Sequence, residues 1–297
     1  MASPAKRLQS NVAGDFFVDS TCIDCGTCRW VAPQSFDSGG DQSRVYRQPT
    51  SEAETQRALA ALVACPTASI GTDAGKYDVG AAIRRMPELI EDGVHYCGFA
   101  SPDSFGAASY LIVREAGNVL VDSPRFAAPL VNAIKKLGGI RTMFLTHQDD
   151  VADHEKFARE FGCERVMHRQ DVNRTTQAVE TQLDGTDEVR LADDLLVIPT
   201  PGHTAGSACL LYKDKFLFTG DHLAWSKRLG HVYAFKDANW FEWGETVKST
   251  AKLRPYRFEW LLPGHGWPWH GTAEEAAQQL EKCLEWMGHG GRADGWP

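Results

Sequence analysis

The chain lacks an apolar run long enough to cross a membrane. None approaches the ~18 consecutive apolar residues that a transmembrane helix needs. The first fourteen residues are small, polar and mildly basic, without the apolar core of a signal peptide. We therefore expect no membrane partner. The expected location is the cytoplasm, or the chloroplast stroma if the N-terminus is the remnant of a trimmed targeting segment.

An excess of positive charge is also absent. Lys and Arg number 31 against 39 Asp and Glu, which gives a formal net charge of -8. Because a nucleic-acid-binding surface is usually basic, the sequence predicts no nucleic-acid partner. Tandem repeats and low-complexity tracts are missing too. The 297 residues suffice for one large domain and one small domain.

Cysteine is present in two different patterns. Four cysteines are scattered through the larger part of the chain, and we interpret them as small buried hydrophobic residues: Cys97, Cys163, Cys209 and Cys283. The others are grouped. Cys22, Cys25 and Cys28 are separated by two residues each, and a distant Cys65 precedes Pro66. Structural zinc sites usually use two separated C-x2-C pairs instead.

This grouped spacing resembles that of the bacterial-type ferredoxins, in which a tight three-cysteine loop and a remote Cys-Pro hold one cluster. The resemblance implies one [4Fe-4S] cluster bound by Cys22, Cys25, Cys28 and Cys65. A four-iron cluster is favoured over a three-iron one because Cys25 fills the second position. Zinc is the alternative.

The segment before Cys65 is predicted to be a helix. Ser51 and Glu54 have the spacing of a capping box, and an apolar stripe follows them until the proline after Cys65. We therefore predict a ferredoxin-like α+β domain over residues 1–72. A connector with one helix is predicted over residues 73–93.

Histidines and carboxylates crowd the end of a predicted buried strand. The apolar run 140–145 is followed by Thr146-His147-Gln148-Asp149-Asp150-Val151-Ala152-Asp153-His154, where a helical pattern begins. Open α/β sheets usually place their sites at the carboxyl ends of strands. Three uncompensated carboxylates there would be costly, so a bound cation is the natural partner. A polar loop with an Asp N-cap is the alternative.

Three further motifs follow predicted strands. They are Pro201-Gly202-His203-Thr204-Ala205-Gly206-Ser207, Thr219-Gly220-Asp221 and Pro263-Gly264-His265-Gly266. Other predicted elements are strands at 164–168, 195–198, 208–212 and 258–262, a helix at 244–253, and a final helix capped by Thr272 and Glu275.

In their order, the four motifs resemble the metal motifs of the metallo-β-lactamase superfamily, whose first motif is His-x-His-x-Asp-His. Here Asp149 replaces the second His, and two extra residues precede the Asp-His pair. The resemblance covers roughly residues 94–286. It implies an α/β fold class, with an αββα metallo-β-lactamase sandwich over residues 94–297 preceded by the small ferredoxin-like domain.

The resemblance also implies a centre with two metal ions. The implied ligands are His147, Asp149 and His203 for one metal, Asp153, His154 and His265 for the other, and Asp221 as a bridge. We expect Asp149, Asp221 and His265 to be the catalytic residues. The two extra residues leave open whether Asp150 replaces Asp149. We favour Asp149 because it keeps the family's one-residue gap from His147.

The donor types indicate which metal and which reaction class to expect. Most members of the superfamily carry zinc and are hydrolases. A carboxylate in place of an imidazole shifts the preference toward iron or manganese. The flavodiiron proteins, which are superfamily relatives that reduce dioxygen or nitric oxide, show a similar exchange to Glu.

An electron carrier fused to a hydrolase would have little to do, whereas it can feed electrons to a di-iron site. We therefore predict a di-iron oxidoreductase that acts on dioxygen, nitric oxide or an organic small molecule. It would receive electrons from an external donor such as a ferredoxin. A dinuclear zinc or iron hydrolase with a structural or sensing cluster is the alternative.

Overall fold

The computed structural model describes residues 2–73 and 75–291, which form two compact units. One unit contains the residues up to 141 together with 152–162, and the other contains 142–151 together with the residues from 163 onward. The helices are α1 (Thr27–Val31), α2 (Glu52–Ala64), α3 (Val79–Arg84), α4 (Ala128–Lys136), α5 (His154–Phe161), α6 (Trp243–Lys252) and α7 (Ala273–Gly288). The strands are β1 (Phe17–Val18), β2 (Phe36–Ser38), β3 (Ser43–Val45), β4 (Ile70–Gly71), β5 (Glu88–Glu91), β6 (Val94–Tyr96), β7 (Tyr110–Ile112), β8 (Val119–Val121), β9 (Thr142–Leu145), β10 (Glu164–His168), β11 (Thr181–Leu183), β12 (Val189–Ala192), β13 (Leu195–Pro199), β14 (Ala208–Tyr212), β15 (Phe216–Gly220), β16 (Ala224–Ser226), β17 (His231–Tyr233), β18 (Trp260–Pro263) and β19 (Trp269–His270).

The first unit begins with a small ferredoxin-like α+β region. Strand β1 pairs antiparallel with β4, and β2 pairs antiparallel with β3. Helix α2 starts where predicted, because the Ser51 hydroxyl accepts the N–H of Glu54 at 3.2 Å. A capping box also has a hydrogen bond from the N-cap N–H to the Glu side chain, and the prediction of this second bond is wrong. The Glu54 carboxylate accepts the N–H and hydroxyl of Thr50, not the N–H of Ser51. As predicted, Cys65 lies at the end of the helix, where it is the C-cap after Ala64.

The rest of the first unit contains the antiparallel strands β5, β6, β7 and β8, paired in that order. Helix α3 lies in the predicted connector, and so does β5, which was not predicted. Strand β5 has no fully buried face, and its Leu89 is 59% exposed. The sequence of β5 therefore lacks the alternation of apolar and polar residues from which a strand is predicted. The domain boundaries proposed from the sequence stay predictions.

The second unit contains two groups of strands. Strands β9, β10 and β11 run parallel to one another. Strands β12, β13, β14, β15, β18 and β19 form a sheet in that order, and β15 pairs in parallel with β18. Every residue of β13, β14 and β15 is buried. Such continuous apolar runs are typical of strands that are covered on both faces.

Helices α6 and α7 supply part of the apolar core of the second unit. Leu280 and Cys283 of α7 are buried in the same cluster as Ile198, Leu211 and Leu261 of the sheet. The capping box at the start of α7 is confirmed, with Thr272 and Glu275 each accepting the N–H of the other. Burying each such leucine contributes roughly 1.5–3 kcal/mol.

The predicted fold class is confirmed. The chain is a mixed α/β protein with a sheet-rich body that follows a small α+β region. The strands predicted at 164–168 and 208–212 are β10 and β14 over the same residues. In residues 2–73 and 75–291, we find no helix whose length and apolar character would suit a membrane span.

Candidate metal centres

Each of the four motifs begins where a strand ends, namely β9, β13, β15 and β18. Because β15 and β18 pair in parallel, with Gly220 beside Pro263, the loops after them emerge side by side. Asp221 and His265 lie in these loops. The sheet therefore holds both side chains at one edge, and a rigid scaffold of this kind suits a metal site.

Gly264 allows two carboxylates to approach the backbone. A Cβ atom at this position would lie 2.6 Å from Asp150 Oδ2 and 2.9 Å from Asp221 Oδ1. The Gly264 N–H donates to the carbonyl of Gly220 at 2.8 Å, which fixes the backbone beside them. Any side chain here would displace a carboxylate, so the motif requires glycine.

Three of the predicted ligands converge at one position. His147, Asp149 and His203 each offer a donor atom, and these atoms lie within 4.8 Å of one another. The Nε2 atom of His203 is 3.4 Å from Asp149 Oδ2. Both histidines are buried, whereas the Asp149 side chain is 45% exposed. The position is therefore open to solvent on the Asp149 side.

Asp221 lies between this group and a second one. Its Oδ2 atom is 3.7 Å from His147 Nε2 and 3.8 Å from His203 Nε2. The second group consists of His147, Asp150 and Asp221, whose donor atoms also lie within 4.8 Å of one another. A shared carboxylate in this location suits a bridging ligand.

The spacing of the donors fits a bound metal ion. Two donors that are each about 2.0–2.2 Å from a metal lie roughly 3–4 Å apart. The separations of His147 and His203 from the carboxylates, 3.4–4.0 Å, fall in this range. Among the residues that the structure describes, neither buried Nε2 atom has a hydrogen-bond partner. Proteins rarely leave buried polar atoms in this state, so the residues fit a metal.

Neighbouring groups orient the donors. The Nδ1 atom of His203 is 2.5 Å from the carbonyl oxygen of Ala238. A carbonyl only accepts, so Nδ1 carries a proton and the Nε2 lone pair is left for a metal. His265 orients Asp221. The Nδ1 atom of His265 is 2.9 Å from both carboxylate oxygens of Asp221, and the backbone N–H of His265 donates to Oδ1 at 3.1 Å. His265 itself stays a predicted ligand.

The charges of the site follow from burial and proximity. Burial lowers the pKa of His147 to about 4. Burial also acts to lower the pKa of His203, but the nearby Asp149 and Asp221 outweigh it, and the net shift is upward. The adjacent His203 imidazole lowers the pKa of Asp149. For Asp221, burial is outweighed by the histidines, led by His265, so its pKa lies below the ordinary value. Ionised carboxylates and a neutral imidazole at pH 7 are the forms that bind metals.

The last two predicted ligands belong to the first unit. Asp153 precedes α5, and its carboxylate accepts the N–H of Phe126 at 2.7 Å and the ammonium of Lys156 at 2.6 Å. His154 is the first residue of α5 and is buried. Neither residue is part of the two donor groups described above. Their roles as ligands stay predictions.

In the first unit, the four grouped cysteines line one cavity. Cys22, Cys25, Cys28 and Cys65 surround a space of about 300 Å³, part of it open to solvent. The N–H of Ser69 donates to the Sγ atom of Cys65 at 3.2 Å. Burial raises the pKa of Cys25 to about 11 and also raises that of Cys28. Four converging thiols with a hydrogen bond to one sulphur fit an iron–sulphur cluster, which would hold them as thiolates.

One part of the site, Asp171, was not predicted. Asp171 is buried and bonded to two of the motif loops, as described below. The N–H groups of Trp240 and Phe241 donate to the carbonyl of His203, at 2.8 and 3.2 Å. Trp240 is 65% exposed, and its ring centroid lies 6.3 Å from that of His203. Asp171 could have been found as a carboxylate at the end of a predicted strand, whereas Trp240 is one of the aromatic residues that the sequence offers for lining the pocket mouth.

Models of known families match both the region of the four grouped cysteines and the region of the four motifs. The model of the 4Fe-4S single cluster domain of Ferredoxin I matches residues 18–72. The model of the metallo-beta-lactamase superfamily matches residues 103–265, more than half of the 297-residue chain. The chain belongs to the metallo-β-lactamase superfamily. Both resemblances that the sequence suggested are therefore confirmed.

Solved structures of superfamily proteins resemble the body of the chain. TMB-1 is 17% identical, with a TM-score of 0.51, covering 66% of this chain and 96% of that one. BLEG-1, a B3 metallo-β-lactamase, is 17% identical, with a TM-score of 0.50 and coverages of 64% and 99%. ETHE1 from Myxococcus xanthus is 19% identical, with a TM-score of 0.48 and coverages of 69% and 93%. At these identities the likeness shows the fold alone. Family membership and the donor set together support a metalloenzyme of this fold.

Proposed function

We propose that this superfamily member is an oxidoreductase whose [4Fe-4S] cluster supplies electrons, one at a time, to the metal centre around Asp221. The proposed cluster ligands are Cys22, Cys25, Cys28 and Cys65. One observation carries the proposal. The Asp149 carboxylate lies beside His203 where the family motif has an imidazole, in a chain that also has an iron–sulphur domain. Carboxylate donors favour iron or manganese over zinc.

We assign the first metal position to His147, Asp149, His203 and Asp221. His147, His203 and Asp149 supply two imidazoles and one carboxylate, the donor set of non-haem iron(II) oxygenases, in which open positions remain for a small molecule. Asp221 is the bridging carboxylate. Iron bound here would supply one-electron chemistry. Asp149 is the most exposed of the four donors, so the exchangeable position lies on its side.

We assign the second position to Asp150, Asp221 and His265, and His154 stays a predicted ligand. Asp150 is buried, and its Oδ2 atom lies 4.0 Å from His147 Nε2. Asp153 is the weaker candidate because a backbone N–H and a lysine already occupy its carboxylate. The centre is then dinuclear, with iron preferred and with manganese or zinc as the alternatives.

The chain's own residues prepare the site for a small substrate. Asp149 is ionised at pH 7, and the carbonyl of Ala238 fixes the tautomer of His203. Trp240 presents an exposed apolar face beside His203, where an organic molecule can pack. Dioxygen and nitric oxide are small enough to reach the same donors. The proposed substrates are therefore dioxygen, nitric oxide, or an organic molecule that reacts with one of them.

Rapid mixing of reduced protein with dioxygen or nitric oxide tests this proposal. The protein is loaded anaerobically with cluster and iron, and re-oxidation of the cluster is followed by its visible absorbance. We expect a fast phase in the wild type that is lost in His203→Ala, because the acceptor centre then lacks a ligand. His270→Ala is the control, since this exposed imidazole stacks on Trp260, with ring centroids 4.0 Å apart, and lies outside the two donor groups. Equal rates in all three proteins would show direct attack on the cluster and would rule out the redox function.

A hydrolase is the second candidate. It is favoured by the three imidazoles of His147, His203 and His265, since imidazole nitrogen is a common zinc ligand. In that case the cluster would be structural or would sense oxidation. The zinc-loaded protein would then hydrolyse a member of an ester, thioester and phosphodiester panel. Its turnover would not depend on the oxidation state of the cluster, whereas an oxidoreductase would require reducing equivalents.

A further inference from the structure

We propose that Asp171 is a positioning residue that fixes two ligand-bearing loops of the metal centre against each other. Asp171 lies outside the four motifs. It ends a short 3-10 turn, Arg169–Asp171, directly after β10, and it is 1% exposed. The inference rests on the metal centre of the proposed function but not on which reaction that centre performs.

One oxygen of Asp171 holds the loop after β9. Its Oδ2 atom accepts the N–H of Gln148 at 3.0 Å. Gln148 lies between His147 and Asp149, so this single bond fixes the backbone of two proposed ligands. The parallel pairing of β9 with β10 explains the approach, because loops after neighbouring parallel strands leave the sheet at the same edge.

Both oxygens of Asp171 hold the loop after β13. The Oδ1 atom accepts the N–H of Gly206 at 2.6 Å, and Oδ2 accepts the hydroxyl of Thr204 at 2.5 Å. Thr204 directly follows His203. The carboxylate therefore connects the loop that carries His147 to the loop that carries His203.

The loop after β13 is shaped to receive this carboxylate. A Cβ atom at Gly206 would lie 2.7 Å from Asp171 Cγ, so only glycine permits the approach. The hydroxyl of Ser207 accepts the N–H of Thr204 at 3.0 Å and lies 2.6 Å from the Thr204 hydroxyl. These two contacts fold the loop after β13 back on itself and orient the Thr204 hydroxyl toward the Asp171 carboxylate.

A carboxylate is needed because all three bonding groups are donors. Asp171 accepts two backbone N–H groups and one hydroxyl, which offsets the cost of burying the charge. An asparagine side chain would turn an NH2 group toward one of these donors. Metal ligands must be held within about 0.5 Å of their working geometry, and loss of such outer partners typically weakens metal binding ~10–100-fold.

Cobalt(II) binding to the full-length protein, with its cluster intact, tests the proposal. Cobalt affinity is measured by chelator competition, and the visible spectrum of bound cobalt reports the geometry of its ligands. We expect Asp171→Asn to bind cobalt ~10–100-fold more weakly and with an altered spectrum. Its cluster EPR signal should not change. Asp184→Asn, whose side chain is 63% exposed, is the matched control and should behave as wild type.

A second pair of variants separates positioning from a merely structural role. Thr204→Val removes the hydroxyl but keeps the shape, and Thr204→Ser restores the hydroxyl. We expect weaker cobalt binding and an altered spectrum in the valine variant only. This pair decides the matter if Asp171→Asn does not fold.

The proposal is overturned if folded Asp171→Asn keeps the wild-type cobalt affinity and spectrum, even with a lower melting temperature. It is also overturned if the valine and serine variants at position 204 bind cobalt alike. Neither measurement involves turnover. Failure of the redox function would therefore leave the result for Asp171 intact.

Discussion

At the scale of single residues, His147 shows how burial prepares a side chain for a metal. Burial lowers its pKa to about 4, so the imidazole is neutral at pH 7. Its Nδ1 atom lies 2.9 Å from the hydroxyl of Thr146, and its Nε2 atom faces Asp150 and Asp221. A buried neutral imidazole with carboxylates at ligand spacing is much better explained by a shared cation than by packing.

The two neighbouring carboxylates of the first motif can be separated by substitution. We expect Asp149→Asn to weaken metal binding at least ~10-fold at the position shared with His203, because a neutral amide is a poorer ligand than a carboxylate. Asp150→Asn should instead affect the position shared with Asp221. Metal content and cobalt titration of each variant measure this. If Asp150→Asn removes the metal from both positions and Asp149→Asn binds normally, the register of the two extra residues was interpreted wrongly.

The sequence predicted most of the candidate donors but could not place them all. His147, Asp149 and His203 were predicted as one group and do lie together. The sequence left open the role of Asp150, because its approach to Asp221 depends on how the extra residues fold and on the space beside a glycine. Contacts of this kind arise from tertiary packing, which the spacing of residues along the chain does not encode.

At the scale of helices and strands, prediction succeeded where burial imposes a pattern. The apolar runs of β13, β14 and β15 are buried at every residue, and α7 has both its amphipathic stripe and its capping box. Prediction failed at β5, whose side chains are half exposed. It also failed at the second bond of the α2 cap, where Thr50 competes successfully with Ser51 for the Glu54 carboxylate. Where several local partners are available, the sequence does not select among them.

An ion pair stabilises the pairing of β10 with the chain before β11. Arg165 donates to the Glu180 carboxylate through its backbone N–H and through the Nε and Nη2 groups of its guanidinium, at 2.8–3.0 Å. We expect Glu180→Gln to lower the free energy of unfolding at pH 7 by about 1 kcal/mol, a value reduced for solvent exposure. Glu281→Gln, which breaks an exposed pair with Arg254, should cost less.

The effect of Glu180→Gln should depend on pH. Hydrogen bonding to Arg165 lowers the pKa of Glu180 from 4.5 to about 2. A carboxylate with a lowered pKa stabilises the folded state above its unfolded pKa, and this stabilisation is lost as the pH falls toward the folded value. Thermal unfolding should therefore show a constant difference from wild type above about pH 6. The difference should shrink between pH 4.5 and 2. A pH-independent difference would show that packing, not charge, is responsible.

The ferredoxin-like region should depend on its cluster. We expect Cys28→Ala to lose the EPR signal of the reduced cluster and to loosen this region, because domains below ~80 residues often need a metal centre for stability. Iron and acid-labile sulphide analysis measures the loss. Cys97→Ala is the control, since Cys97 is buried in the same unit but lies outside the cluster cavity. Zinc without sulphide in the wild-type protein would contradict the assignment of the cluster.

At the scale of the whole molecule, the sequence predicted two metal-binding parts but not what they act on together. Four cysteines and four motifs are local patterns, and the family matches at 18–72 and 103–265 bear them out. The substrate depends instead on how the surface beside the donors is shaped. Residues such as Trp240 define that surface, and their position follows from loops that carry no recognisable pattern.

One cluster passes one electron, so turnover in our proposal requires an external donor. The formal net charge of -8 sets how that donor approaches. An acidic ferredoxin meets long-range repulsion, whereas a donor with a basic contact surface is attracted. Salt screens both effects, since the Debye length falls from about 10 Å at 0.1 M to about 3 Å at 1 M ionic strength.

Stopped-flow reduction of the cluster by donors of opposite charge tests this expectation. The second-order rate constant should rise with ionic strength for an acidic ferredoxin and fall for a basic donor, because only the sign of the screened interaction differs. A small neutral reductant is the control and should show little dependence on salt. If an acidic donor instead reacts fastest at low salt, a basic patch on the protein must guide it despite the net charge. Docking would then be governed by local surface charge, and charge-reversal variants of surface Lys and Arg residues would locate that patch.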